Sequence, residues 1–151
     1  VNRVDSMDSD ADVVVVFGGT NDFGHGDAKL GTFESRDPYT FYGAMHVLCE
    51  KLINRFPNAD ILFMTPLHRC SEDEVSKENG LPEETNLAGY VSIIREVAEF
   101  YGLPVLDLFS TSGLQPKVDI IKETYMPDGL HPSDAGALRI ALRLMGFLQT
   151  L

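Results

Sequence analysis

The sequence predicts an α/β fold: a parallel sheet with helices on both faces. Three observations carry that expectation. Strand-like apolar runs alternate with helical patterns along the chain, an order that implies right-handed crossovers. The first run, Val13-Val14-Val15-Val16-Phe17, is apolar at every position, the pattern of a parallel strand buried on both faces. A chain of 151 residues with 44% hydrophobic content is the size of one domain and can bury a real core.

Taken in order, residues 1–9 read as the end of a helix leading into the strand at 13–17. The next strand is Ile61-Leu62-Phe63-Met64, ended by Thr65-Pro66. The third is Val105-Leu106-Asp107-Leu108-Phe109, after Pro104. The first full helix is expected to start with Asp37 as N-cap and Pro38 at its first position. Its apolar stripe is Phe41, Met45, Leu48 and Leu52, and it ends near Phe56-Pro57. The second helix has Thr85 or Asn86 as cap and Leu87, Val91, Ile94, Ala98 and Tyr101 on one face; Gly102-Leu103-Pro104 stops it. The third follows His131-Pro132, with Ser133 as cap and Leu138, Ala141, Met145 and Leu148 as its core stripe. The loops at 22–36 and 66–85 are long; such loops either line active sites or run plainly over the surface. Three strands make a small sheet for this length, and the run at 13–17 would leave an unpaired edge. We therefore expect one or two further strands, from before residue 1 or from another chain.

Composition limits the partners. The formal net charge is −11, with acids crowded at Asp5, Asp8, Asp10 and Asp12 and at Glu72, Asp73, Glu74, Glu83 and Glu84. Such a surface repels phosphate backbones, so no nucleic-acid partner is expected. No apolar run approaches the ~18 residues that span a bilayer, so no membrane partner is expected. Cys49 and Cys70 form no C-x-x-C or zinc spacing. Both lie among apolar residues and are expected as buried free thiols, which favours a reducing, cytoplasmic setting. No signal peptide is visible, although the chain begins with Val1 rather than Met and a missing leader stays open.

Two short motifs carry chemistry. The first strand runs straight into Gly18-Gly19-Thr20-Asn21-Asp22, at the sheet end where parallel α/β folds bind ligands. Glycine permits close backbone approach and Asn supplies an amide donor, though the same residues could form a tight turn and a cap. The second motif is Asp128-Gly129-Leu130-His131-Pro132. An Asp three residues before a His can accept the proton of one ring nitrogen and leave the other free to take one. Alone, each is weak.

Together, Gly19-Thr20-Asn21-Asp22 resembles the G-x-N-D block, and Asp128-Gly129-Leu130-His131-Pro132 the D-x-x-H block, of the SGNH (GDSL-like) serine hydrolases. The resemblance runs over residues 11–150. It implies a flavodoxin-like three-layer sandwich with parallel strands in the order 2-1-3-4-5, of which this chain holds the third to fifth. It implies His131 as general base, Asp128 as its orienting carboxylate and Asn21 as oxyanion donor. Gly19 would let the loop approach the substrate, and Asp22 would hold the loop by hydrogen bonds. The chain departs from the pattern in lacking the G-D-S block and the later glycine block. Val4-Asp5-Ser6-Met7 is no substitute: the Gly is missing, no strand precedes it, and no room remains before residue 13. We expect a single domain over 1–151, incomplete at its amino end and inactive alone.

His46, within the first helix, is expected at the surface or core edge. His25 and His68 are candidates for the pocket rim. Asp22, His25 and Asp27 with Asp128 and His131 could hold a divalent ion, but serine-hydrolase roles account for the last two without metal, and no metal or cofactor is expected. Phe23, Phe33, Tyr39 and Tyr42 wall a pocket or pack their loop onto the body. The expected function is serine-dependent hydrolysis of small acyl or acetylated carbohydrate esters. The alternative is a non-catalytic carbohydrate- or nucleotide-binding domain on the same fold.

Overall fold

The computed structural model describes residues 1–26, 29–74 and 85–151; Asp27, Glu83 and Glu84, noted above, lie outside them. A 3-10 turn over Asn2–Ser6 leads to β1 (Val13–Phe17), α1 (Thr20–His25), α2 (Phe41–Arg55), β2 (Asp60–Met64), α3 (Leu87–Phe100), β3 (Val105–Leu106), α4 (Leu108–Thr111), α5 (Asp119–Tyr125) and α6 (Asp134–Leu148). The strands form a parallel sheet in the order β1-β2-β3, with Val15 beside Leu62 and Phe63 beside Val105.

Central β2 divides the core because its side chains alternate between faces. Ile61 and Phe63 pack with Val14 and with Met45, Leu52, Ile94 and Val97 of α2 and α3. Leu62 and Met64 pack on the other side with Leu106, Leu108, Leu114 and Met126, and α5 and α6 lie against that cluster through Ile121, Ile140 and Leu144. The result is helices, sheet, helices, the α/β layering that the sequence predicts.

Capping residues set the helix starts. Asn86 and Ser133 act as expected, accepting from the amides of Gly89 and Gly136. The start of α2 differs: Thr40 is the N-cap, accepting from Gly43 N at 3.2 Å. Asp37 instead builds the preceding turn, its carbonyl accepting from Thr40 N and its carboxylate from Tyr39 N. Strand β3 is shorter than expected because Asp107 caps α4: its carboxylate accepts from Ser110 N and from Thr65 Oγ1, and Thr65 Oγ1 accepts from Phe109 N.

Two expected core stripes are corrected. β1 is buried on one face only: Val14 is 4% exposed, but Val13, Val15 and Phe17 are 42, 39 and 51% exposed. Among the described residues β1 pairs with β2 alone, so its outer edge and one of its faces have no cover. Helix α6 turns Leu138, Ala141 and Met145 outward and packs through Ile140, Leu144, Phe147 and Leu148. It is apolar nearly all round, so periodicity offered two stripes and the sheet selected one. Cys49 is buried, and burial pushes its thiol up to about 12. Cys70 is exposed, because it lies in the turn after β2 rather than in the core.

Candidate active site

The two motifs converge at the carboxyl end of the sheet. Gly19 leaves β1 with φ +99°, a left-handed conformation that L side chains rarely adopt. A Cβ there would point inward, 3.1 Å from Ile94 and 3.4 Å from Pro66, so Gly19 also lets the turn pack on the body. The chain then coils directly into α1, where sequence suggested only a loop. Asn21 lies exposed in its first turn.

The Asp128–His131 turn is held by its own atoms. One oxygen of Asp128 accepts from the amides of Leu130 and His131 at 2.8 and 2.7 Å, and the other lies 2.7 Å from His131 Nδ1. These bonds, that from His131 foremost, hold the Asp128 carboxyl well below the usual carboxylate range. With Nδ1 donating to Asp128, Nε2 is the ring atom free to accept a proton. Gly129 has φ +77°, and a Cβ there would stand 2.6 Å from Cys70 Sγ. Ser133 continues the turn, its amide donating to Tyr125 O and its hydroxyl to Thr124 O.

Asn21 and His131 line the same pocket, of about 210 Å³, with Phe17, Gly18, Pro66, Leu67 and Leu130. Asp22 does not join them. It faces a second cavity of about 430 Å³ on the other side of Gly18, lined with Gly19, Tyr39, Phe41 and Met45. Ser6 lines neither; its hydroxyl donates to Arg3 O.

The other histidines are placed elsewhere. His46 is fully buried rather than at the surface or core edge: an edge-on cage of Phe33, Phe100 and Tyr101 closes over it, and burial pushes its pKa down. His68 lies against the Phe109 ring, with Nδ1 2.6 Å from Glu72. His25 ends α1. Neither lines the His131 pocket. No three His, Cys, Asp or Glu side chains come together as a metal set among the described residues, and Asp27 lies outside them. Of the four aromatics, Phe23, Phe33 and Tyr42 pack through edge-on ring contacts, and Tyr39, 84% exposed, lines the second cavity.

Within the long loop after β2, sequence reading gave Arg69 and Glu72 no role in the site. Arg69 donates to the carbonyl of Thr20, and the amide of Cys70 donates to that of Gly129. Glu72 is buried beneath them. Burial pushes its carboxyl up, but hydrogen bonds from Lys117, Gln115, His68 and the Arg69 amide outweigh that and hold it at about 2. The available signal was the cluster His68-Arg69-Cys70-Ser71-Glu72 at the carboxyl end of a buried strand.

Comparison with known proteins bears on family and fold. One solved structure is 40% identical with a TM-score of 0.84, and covers 99% of this chain and 69% of its own. A protein from Lactobacillus plantarum is 33% identical with a TM-score of 0.85, covering 98% of this chain and 71% of its own. A carbohydrate esterase family 3 protein from Talaromyces cellulolyticus, at 15% identity and TM-score 0.63, shares the fold over 99% of this chain and 63% of its own. No curated protein matches. The model of the GDSL-like lipase/acylhydrolase family matches residues 2–139, across both motifs, and the chain belongs to that family.

Proposed function

We propose that this chain carries the base and the oxyanion donor of a serine ester hydrolase. The observation behind this reading is the pocket that His131, backed by Asp128, shares with Asn21. In the proposed reaction a serine hydroxyl attacks the ester carbonyl while His131 Nε2 takes its proton. Asp128 keeps the ring oriented and stabilises the imidazolium. The Asn21 side-chain amide donates to the developing oxyanion, an interaction worth roughly 3–4 kcal/mol in the transition state. His131 then protonates the leaving alcohol, water enters by the same base, and the acid departs.

The serine is assigned to a segment outside these 151 residues. Support comes from β1, whose outer edge is unpaired and whose Val13, Val15 and Phe17 face is uncovered among the described residues. A parallel strand added there would end beside Gly18, at the mouth of the pocket. The substrate class is small acyl esters, acetylated carbohydrates among them. A pocket of about 210 Å³ suits an acetyl-sized acyl group; whole drug-sized ligands fill roughly 300–1,000 Å³. The fold shared with a carbohydrate esterase points the same way. A site for binding alone would have no need of a charge-paired, oriented imidazole.

p-Nitrophenyl acetate tests the reading. Serine-containing protein is expected to cleave it, and residues 1–151 alone to give no turnover above background. Serine-inhibitor-sensitive turnover by residues 1–151 alone would show the nucleophile assignment to be wrong.

A further inference from the structure

We infer that Arg69 is a positioning residue that holds Asn21 opposite His131; the inference rests on the proposed roles of those two residues. Helix α1 has six residues, too few to be stable by its own hydrogen bonds. Asn21 therefore keeps its place only if something outside the helix fixes it. Arg69 reaches it from the turn after β2. Its guanidinium donates to Thr20 O at 3.3 Å and to Ser71 Oγ at 3.1 Å, and lies over the Phe23 ring at 5.4 Å. Asn21 sits between these two held residues. Gly24 leaves the room: a Cβ there would stand 2.8 Å from the guanidinium.

The other end of the same short segment is tied to the base. Cys70 N donates to Gly129 O at 2.9 Å, within the turn that carries Asp128 and His131. The Arg69 amide is anchored on buried Glu72. Two adjacent residues thus bridge donor and base, and the Arg69 side chain is the arm on the donor side. Misplacing a catalytic group by about 1 Å can cost on the order of 100-fold in rate.

The test uses the full-length, serine-containing protein with p-nitrophenyl acetate. Arg69→Met keeps an unbranched side chain of similar length and removes the guanidinium, and with it every side-chain donor and the contact over Phe23. It is expected to lower kcat about 10-fold with KM changed less than about 2-fold, and Arg69→Lys to recover most of the loss. In an Asn21→Ala background the same substitution should cost less than about 2-fold, because the group it places is gone. A full 10-fold loss in that background, or an unchanged kcat in the single variant, overturns the inference. Amide hydrogen exchange supplies a readout independent of turnover. Phe23 and Gly26 amides should lose protection in Arg69→Met while those of α3 keep theirs; unchanged exchange in α1 overturns the inference. Full activity of Asn21→Ala alone would instead overturn the donor role on which it rests.

Discussion

The two turns proposed to carry the donor and the base, at Gly19–Asn21 and Asp128–His131, line one pocket but are built differently. The base turn is nearly self-sufficient. Asp128 finds all three of its hydrogen-bond partners within the next three residues, and Gly129 supplies the left-handed step between them. The donor turn depends on distant residues. Gly19 packs against Ile94 and Pro66, Phe23 against Tyr90, and Thr20 is held by Arg69. A motif whose contacts are local keeps its geometry wherever the fold presents it; one whose contacts are remote has geometry only once the fold is complete.

The sharpest break of the base turn is His131→Ala. In the serine-containing protein it should cut turnover of p-nitrophenyl acetate by about 10⁴-fold or more, since no other group in the pocket can take the serine proton. Asn21→Ala should cost less, roughly 10²–10³ in kcat with little change in KM, because an oxyanion donor acts mainly in the transition state. A larger loss for Asn21 than for His131 would reverse the proposed division of labour.

Stability separates the turns further. Glu72 supports the segment that joins them, and its folded-state pKa is depressed, from 4.5 to about 2. The stabilisation is present above pH ~4.5, where the unfolded carboxyl is also ionised, and is lost as pH falls through about 2. Its size is about 3 kcal/mol. Urea midpoints recorded from pH 6 to 2 should fall across that window, and Glu72→Gln should flatten the fall. Gly129→Ala should destabilise by about 2 kcal/mol, from positive φ and the Cys70 contact. Gly18→Ala, with no atom within 4 Å of its Cβ and no positive φ, should change stability by less than about 0.5 kcal/mol. Equal urea midpoints for the two alanine variants would remove the contrast.

Strands β1 and β2 teach the same lesson about legibility. Both are continuous apolar runs, and both read as strands. Leu62 and Phe63 are buried on opposite faces of β2, whereas Val15 and Phe17 are exposed on β1. An apolar run records the cover a strand needs, and neighbours decide whether it is present. The stripe of α6 failed for a related reason: with apolar residues all round, only contact with Met64 and Leu106 could select Ile140 and Leu144 over Leu138 and Met145. The burial of His46 is not legible because a polar residue in a helix gives no sign that three aromatic rings, one from the preceding loop and two from the end of α3, will enclose it. The polar cluster around Arg69 is visible in the sequence, but what Arg69 touches is not, since Thr20 and Phe23 lie 49 and 46 residues earlier in the chain.

By itself the sequence determined the parallel α/β class, the helix cap at Ser133 and the pairing of Asp128 with His131, and it narrowed the α3 cap to Thr85 or Asn86. Each rests on periodicity or on contacts three residues apart, which the chain makes wherever it folds. Tertiary structure alone decided that Asn21 lines the His131 pocket while its neighbour Asp22 lines a different cavity. Successive residues of a helix point about 100° apart, so which of two adjacent polar side chains enters the pocket depends on how α1 is turned. Its rotation is set by residues the motif does not contain: the φ of Gly19, the packing of Phe23 and the hold of Arg69 on Thr20.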